Sequence, residues 1–303
     1  MRAVAGGLRG YDYARTSGPY AAWLGAVARG LEVSDDPGVH SNLLWRQGNL
    51  ARRAGDLELA LVAAEAQGAH DAARGEDRDA ALAAGLRADI LQARGQLDEA
   101  LRIRREEELP VYERLGDVRS KAITMGQIAD IHEARGQLDE AHRIRRDEEL
   151  PVYERLGDVR SKAVAMGKIA DILQARGQLN EALRIRREEE LPVYERLGDV
   201  RERAVTMGKI AIVLRARGQF DEALRIYREE VLPVRQSLGD SFGVLVIQTN
   251  LAIALLRTRK PEHRPEALTL LTTALKSAVD LNFPVEVEWI RGLFRQLGLP
   301  APH

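Results

Sequence analysis

Gly95-Gln96-Leu97-Asp98-Glu99-Ala100 recurs as Gly136-Gln137-Leu138-Asp139-Glu140-Ala141, as Gly177-Gln178-Leu179-Asn180-Glu181-Ala182 and as Gly218-Gln219-Phe220-Asp221-Glu222-Ala223. The spacing is 41 residues each time, and the Leu-Gly-Asp triplets ending at Asp117, Asp158, Asp199 and Asp240 keep it. Self-similarity at one fixed period marks a repeat architecture. Residues 116–156 and 157–197 differ at 8 of 41 positions, which reads as recent duplication, so identity between copies does not by itself single out a functional position. Fainter copies flank these. Gly55-Asp56-Leu57-Glu58-Leu59-Ala60 precedes the Gly95 copy by 40 residues, and Pro265-Glu266-Ala267-Leu268 follows a short insertion around Pro261 and His263. Six units result, near 36–74, 75–115, 116–156, 157–197, 198–238 and 239–282. Residues 1–35 read as a degenerate repeat or cap, and 283–303 as a capping helix and tail.

Each unit reads as two helices of roughly 18 residues, within the ordinary range. After Gly116, which can close the preceding helix in a left-handed conformation, Asp117 is placed as an N-cap. Asp199 with Glu202 has the capping-box pattern. Ala122, Met125, Ile128, Ala129 and His132 recur at three- and four-residue steps, one apolar stripe of a helix. Gly136 ends that helix. The second starts near Asp139, with Leu138 as a hydrophobic staple, and carries Ala141, Ile144, Leu150, Tyr153 and Leu156. Pro110, Pro151, Pro192 and Pro233 fall inside the second helix, where proline removes a donor and clashes one turn back. A bend there, or a break into two shorter helices, is predicted. One helix pair cannot bury its stripe alone, and stacked pairs can. The expected fold is all-α, a right-handed superhelical solenoid of stacked antiparallel helix pairs rather than two globular domains.

Composition narrows the function. Lys and Arg number 45 against 46 Asp and Glu, a formal net charge of −1, without the basic excess of a phosphate-binding protein, so no nucleic-acid partner is expected. There are no cysteines, hence no disulfides, thiolate metal sites or cysteine nucleophiles, which fits a reducing cytoplasm. No segment approaches 18 uninterrupted apolar residues, and Arg9 interrupts the start before an apolar core develops, so neither a membrane span nor a secretory signal is expected.

The pattern resembles the tetratricopeptide repeat superfamily. Leu44, Gly48, Gly55 and Ala60 carry the resemblance most clearly. Ala88, Gly95 and Ala100 hold the same places in the next copy, followed by Ala129, Gly136, Ala141, by Ala170, Gly177, Ala182 and by Ala211, Gly218, Ala223. Met125, Met166 and Met207 take the bulky early position. Glu107, Glu148, Glu189 and Glu230 depart from the family's small residue midway along the second helix. The long period is similar to that of kinesin light chains and of bacterial arrays attached to signalling ATPases. The resemblance implies that first helices line a concave groove, into which Asn49, Asp89, Asp130, Asp171 and Ile212 would point, with Gln92, Glu133 and Gln174 one turn on. Arg52, Lys209 and Arg215 would make the groove basic towards its ends and acidic in the middle. The carboxylate-clamp groove of the family uses lysines and asparagines. Asp89, Asp130 and Asp171 stand where asparagine would be wanted, so a chaperone tail is disfavoured and a segment basic at its centre is favoured.

Other features have plainer readings. Gly85, Gly126, Gly167 and Gly208 lie mid-helix, either for close helix approach or as an open strip for a ligand backbone. The methionines read as core. Arg104-Arg105-Glu106-Glu107-Glu108 and its copies read as a solvated outer face whose charges can pair between neighbouring repeats. His132 and His142 stand where the next repeat has Leu173 and Leu183, and read as partly buried substitutions. No His-Glu-x-x-His, P-loop or Gly-x-Ser-x-Gly pattern is present, and Gly6-Gly7-Leu8-Arg9-Gly10 is too short to bind nucleotide. No catalytic residue, cofactor or metal site is assigned. The expected protein is a non-catalytic scaffold that binds a peptide or partner helix. The alternative is an inducer-binding sensor array partnered with a nucleotide-switch or effector module, to which a degenerate start as part of a longer protein would fit. Trp23 or Trp289, near the ends, are candidates to seed a dimer.

Overall fold

The computed structural model describes residues 19–298, so Gly6–Gly10 and His303 lie outside the described residues, as does most of the proposed N-terminal cap. Every regular element among the described residues is helical. Contacts divide the chain into two compact units at Val152–Tyr153, inside the helix Leu150–Leu156.

In the first unit, Pro19–Val33 precedes the pairs Pro37–Arg53 with Leu57–Ala73 and Asp77–Ala93 with a second helix that begins at Leu97. Val118–Ala134 and the helix from Leu138 follow. The second unit repeats the theme with Val159–Ala175, Val200–Ala216 and Ser241–Arg257 as first helices, and ends on His263–Asp280 and Pro284–Gln296. The predicted starts of the first helices and the glycine stops hold, but the second helix begins at Leu138 after Gln137, so Leu138 is its first residue and not a staple ahead of it. Asp117, Asp158 and Asp199 each accept the backbone N–H three residues on at 3.0 Å. Gly116 adopts φ 66° and Gly136 φ 74°, which closes each helix at no Cβ cost. The capping box at Asp199 closes on one side only, because the Asp199 N–H donates to the Tyr194 carbonyl at 2.9 Å instead of to Glu202.

Alanines let the helices approach. Ala88, Ala100, Ala129 and Ala141 in the first unit, and Ala170, Ala182, Ala211 and Ala223 in the second, are completely buried. Met125, Met166 and Met207 are core residues, as their spacing predicts. The second unit builds a continuous apolar cluster from Leu183 to Phe294, including Tyr227, Leu251 and Ile290.

The proline problem is solved without a loop. Leu97–Ile103 runs into a π-helical turn at Arg104–Glu108, and helix resumes at Leu109–Leu115. The Leu109 N–H donates five residues back, to Arg104. Leu150, Leu191 and Leu232 do the same to Arg145, Arg186 and Tyr227. Pro110 sits in the first turn after the widening, where its ring is relieved of the carbonyl one turn back. The predicted interruption is therefore a one-turn widening of a backbone that stays helical. Arg104 and Glu108 lie four and eight residues after the buried Ala100, on the same face of the helix.

Candidate functional site

On each first helix one stripe is open. In Val118–Ala134 it is Ser120, Ile123, Gln127 and Asp130, at three- and four-residue steps between buried neighbours. In Val159–Ala175 it is Ser161, Val164, Lys168 and Asp171. Leu82, Ile123 and Val164 occupy equivalent positions and are exposed, at 36%, 43% and 47%. Asp89, Asp130 and Asp171 thus lie on the accessible side of their helices. So do Lys209 and Ile212, both half-buried. Asn49, Arg52, Gln92, Glu133, Gln174 and Arg215 are half-buried at the margins. Asn49 donates to the Trp45 carbonyl at 2.9 Å, which turns its amide back onto its own helix.

The charged run corrects the sequence reading. Arg104 and Glu108 are not solvated: they are 0% and 5% exposed. Arg104 donates to Glu108 at 2.6 Å and to Asp89 at 2.5 Å. Arg145 holds Glu149 at 2.9 Å and Asp130 at 2.5 Å, and Arg186 holds Glu190 at 2.7 Å together with Asp171. Each guanidinium is a buried fork between a carboxylate on the open stripe and a carboxylate behind it. A buried ion pair survives only when hydrogen-bonded in this way. Burial pushes the Glu108 and Glu190 carboxyls above the ordinary glutamate value, against the opposing pull of Arg104 and Arg186. Arg105, Glu106, Arg146 and Asp147 remain on the outside, as expected for the rest of the run. Pairing between neighbouring repeats is also present, as Arg187–Glu222 at 2.5 Å and Arg228–Glu266 at 2.7 Å.

The mid-helix glycines belong to this triad. A Cβ on Gly85 would lie 2.7 Å from a Glu108 oxygen, and on Gly126 or Gly167 it would lie 2.6 Å from Glu149 or Glu190. The glycine makes room for the buried carboxylate, so the reason is close approach within a helix pair and not an open strip. The next repeat supplies an internal control. There Ile212, Tyr227 and Val231 stand where the others have aspartate, arginine and glutamate, so all three partners change together. Tyr227 and Val231 are completely buried, and the nearest side-chain atom to a Cβ on Gly208 is 3.7 Å away.

The acidic face is partly compensated. Each triad keeps two carboxylates for one guanidinium. Arg52 lies 4.0 Å from Asp89, and Lys209 donates to Asp171 at 2.6 Å, so the basic residues placed towards the ends touch the acidic ones of the adjacent repeat. In the first unit a hollow of about 190 Å³ opens on this face, between Trp45, Leu82 and Ile123 above and Asp89, Arg104 and Glu108 below. Trp45, which sequence reasoning passed over, is 42% exposed. Among the described residues no group of His, Asp or Glu has metal-site spacing. His132 is buried and bonded to Gln137 at 2.6 Å and Arg105 at 3.0 Å, and His142 is half-buried, consistent with packed substitutions. Trp23 is 63% exposed, whereas Trp289 packs on the apolar cluster.

Residues 161–231 match the tetratricopeptide repeat family model. This segment carries tetratricopeptide repeats. No curated protein matches it by sequence. Among solved structures, a signal-transduction ATPase with numerous domains and a tetratricopeptide repeat sensor, from Pyrococcus horikoshii, aligns at TM-score 0.65 and 16% identity, over 92% of this chain and 41% of that one. A Rap protein complexed with competence and sporulation factor aligns at 0.63 and 11% identity, over 95% and 82%. A kinesin-light-chain candidate of Podosopora anserina with nearly identical tetratricopeptide-like repeats aligns at 0.53 and 22% identity, over 68% and 99%. At these identities the likeness is one of fold. It agrees with the tetratricopeptide-repeat reading of the period, the glycines and the alanines, and with the relatives that the long period suggested.

Proposed function

We propose that this tetratricopeptide-repeat protein is a non-catalytic scaffold that holds an extended polypeptide segment across successive first helices within one unit. The observation that carries the reading is the open stripe, in which an exposed aliphatic residue and an aspartate recur at the same places in successive repeats. The aliphatic positions supply apolar area. Asp89, Asp130 and Asp171 supply acceptors already held by buried arginines, so little side-chain entropy is lost on binding. Because each triad offers two carboxylates to one guanidinium, the preferred segment has lysine or arginine near its centre, where it competes with contacts such as Arg52–Asp89 and Lys209–Asp171. Neither nucleic acid nor a membrane is part of the reading, and among the described residues no helix is long and apolar enough to cross a membrane. A cytoplasmic setting goes with it. The array as sensor of a larger signalling protein is a second reading, favoured by the likeness to the sensor-bearing ATPase, of which this chain spans about two fifths.

Selection from a randomised peptide display library tests the proposal. Enriched sequences should carry central basic residues between aliphatic ones. Leu82→Asp and Ile123→Asp, at exposed positions of the first unit, should weaken the selected peptide about tenfold each, about 1.4 kcal/mol. Enrichment of acidic peptides, or binding indifferent to both substitutions, refutes it.

A further inference from the structure

A second hollow lies in the first unit, beyond Trp45, with a volume of about 370 Å³. Its walls come from three consecutive helices. Ser41 and Trp45 are on Pro37–Arg53, Gln67 and Asp71 on Leu57–Ala73, and Asp79 and Leu82 on Asp77–Ala93. The floor is polar and buried. Gln67 is 2% exposed and its side-chain carbonyl oxygen has no hydrogen-bond donor. Asp71 is 1% exposed and accepts the Ser41 hydroxyl at 2.9 Å. A buried amide oxygen left without a donor is rare and unfavourable, and calls for a partner.

The charge says which partner. Asp71, Glu76 and Asp79 line the hollow against one cation, Arg74, which lies 3.7 Å from Glu76. The balance is two negative charges in excess. Acceptors on the floor, surplus carboxylates and an indole wall are together the recognition set of an organic cation, whose N–H groups meet oxygen and whose methylenes lie on the aromatic face.

We propose that this hollow binds a primary ammonium or guanidinium group, seated on Asp71 and the Gln67 carbonyl with Trp45 beside its alkyl stem. The group is either a free amine or a lysine or arginine side chain, and the site stands whether or not the stripe binds peptide. The test is isothermal titration of the full chain with agmatine, with the blocked tripeptide acetyl-Ala-Arg-Ala-amide, and with its citrulline counterpart, which keeps the shape and removes the charge. Saturable 1:1 binding of agmatine alone assigns a free amine, and tighter binding of the arginine tripeptide assigns a side chain. In either case citrulline should bind at least about tenfold more weakly. Trp45→Ala and Asp79→Asn, at accessible positions, should each weaken the bound probe several-fold with unchanged melting temperature, and Gln67→Leu should weaken it further. Absence of binding by both cations at millimolar concentration overturns the proposal. So does equal binding of citrulline, or affinity untouched by Trp45→Ala and Asp79→Asn.

Discussion

Replacing Arg104 by leucine isolates the buried fork. The substitution keeps an apolar stem but removes the hydrogen bonds at 2.6 Å to Glu108 and 2.5 Å to Asp89, with a longer one at 3.5 Å to the Gly85 carbonyl. Glu108, 5% exposed, is then a buried carboxylate without its cation, and breaking such a pair costs about 3–5 kcal/mol. Asp89 keeps a third of its side chain in water and still has Arg52 at 4.0 Å, so its share is below about 1 kcal/mol. The cost has a built-in ceiling, because Glu108 can take up a proton instead. Its carboxyl is already raised by burial, and loss of Arg104 raises it further. The deficit should therefore shrink on acidification, by about 1.4 kcal/mol per pH unit between the Glu108 value of the variant and the lower one of the parent, and stay level below both. Hydrogen exchange over residues 97–115, read by mass spectrometry, reports the local opening energy, which suits an array that need not unfold in one step. The decisive companion is the triple variant Asp89→Ile, Arg104→Tyr, Glu108→Val, which transplants the set found at Ile212, Tyr227 and Val231. It should recover stability to within about 1 kcal/mol of the parent, because an apolar triad of similar volume can replace an ionic one. An Arg104→Leu cost under about 1 kcal/mol, or a triple variant no better than Arg104→Leu, refutes the triad as the unit of packing.

Gly126→Ala brings a methyl to 2.6 Å from Glu149 and should destabilise by about 1–3 kcal/mol in urea denaturation. Gly208→Ala meets nothing closer than 3.7 Å and should stabilise by about 0.5–1 kcal/mol, because alanine limits the unfolded chain. The Glu190 carboxyl is raised by burial above its unfolded value near 4.5, so its contribution is fully present below that pH and is lost as pH rises through the folded value. Glu190→Gln should therefore improve relative to the parent as pH climbs from about 4.5 towards neutrality in melting-temperature scans. Asp199 has the opposite sign. The Glu202 N–H and Arg160 hold its carboxyl below its unfolded value near 3.8, so its contribution is present above that pH and fades as pH falls through the folded value. Asp199→Asn, which keeps a capping side chain, should flatten the acid limb of the melting profile.

Much of this architecture was legible in the residues. The period, the left-handed glycines and the aspartate caps are local features, set by backbone conformation and by hydrogen bonds three residues long. The alanine and methionine stripes follow from helical geometry, and they marked the core correctly. The same geometry put Asp89, Asp130 and Asp171 on the accessible face. The charged run was misread because charge was taken as a mark of exposure, although Arg104 and Glu108 follow the buried Ala100 by four and eight residues and so share its face. Arg104 and Glu108 face inward, each paired with the other, while Arg105 and Glu106 stay out. The glycine requirement was equally invisible one helix at a time, since the atom that needs the space, the Glu108 carboxylate, belongs to the other helix of the pair. A signal was available in hindsight, in the joint change of aspartate, arginine and glutamate to Ile212, Tyr227 and Val231. Sequence alone determined what depends on neighbours along the chain. Only tertiary structure decided which charges are buried, because that depends on how two helices, one of them widened by a turn, face each other.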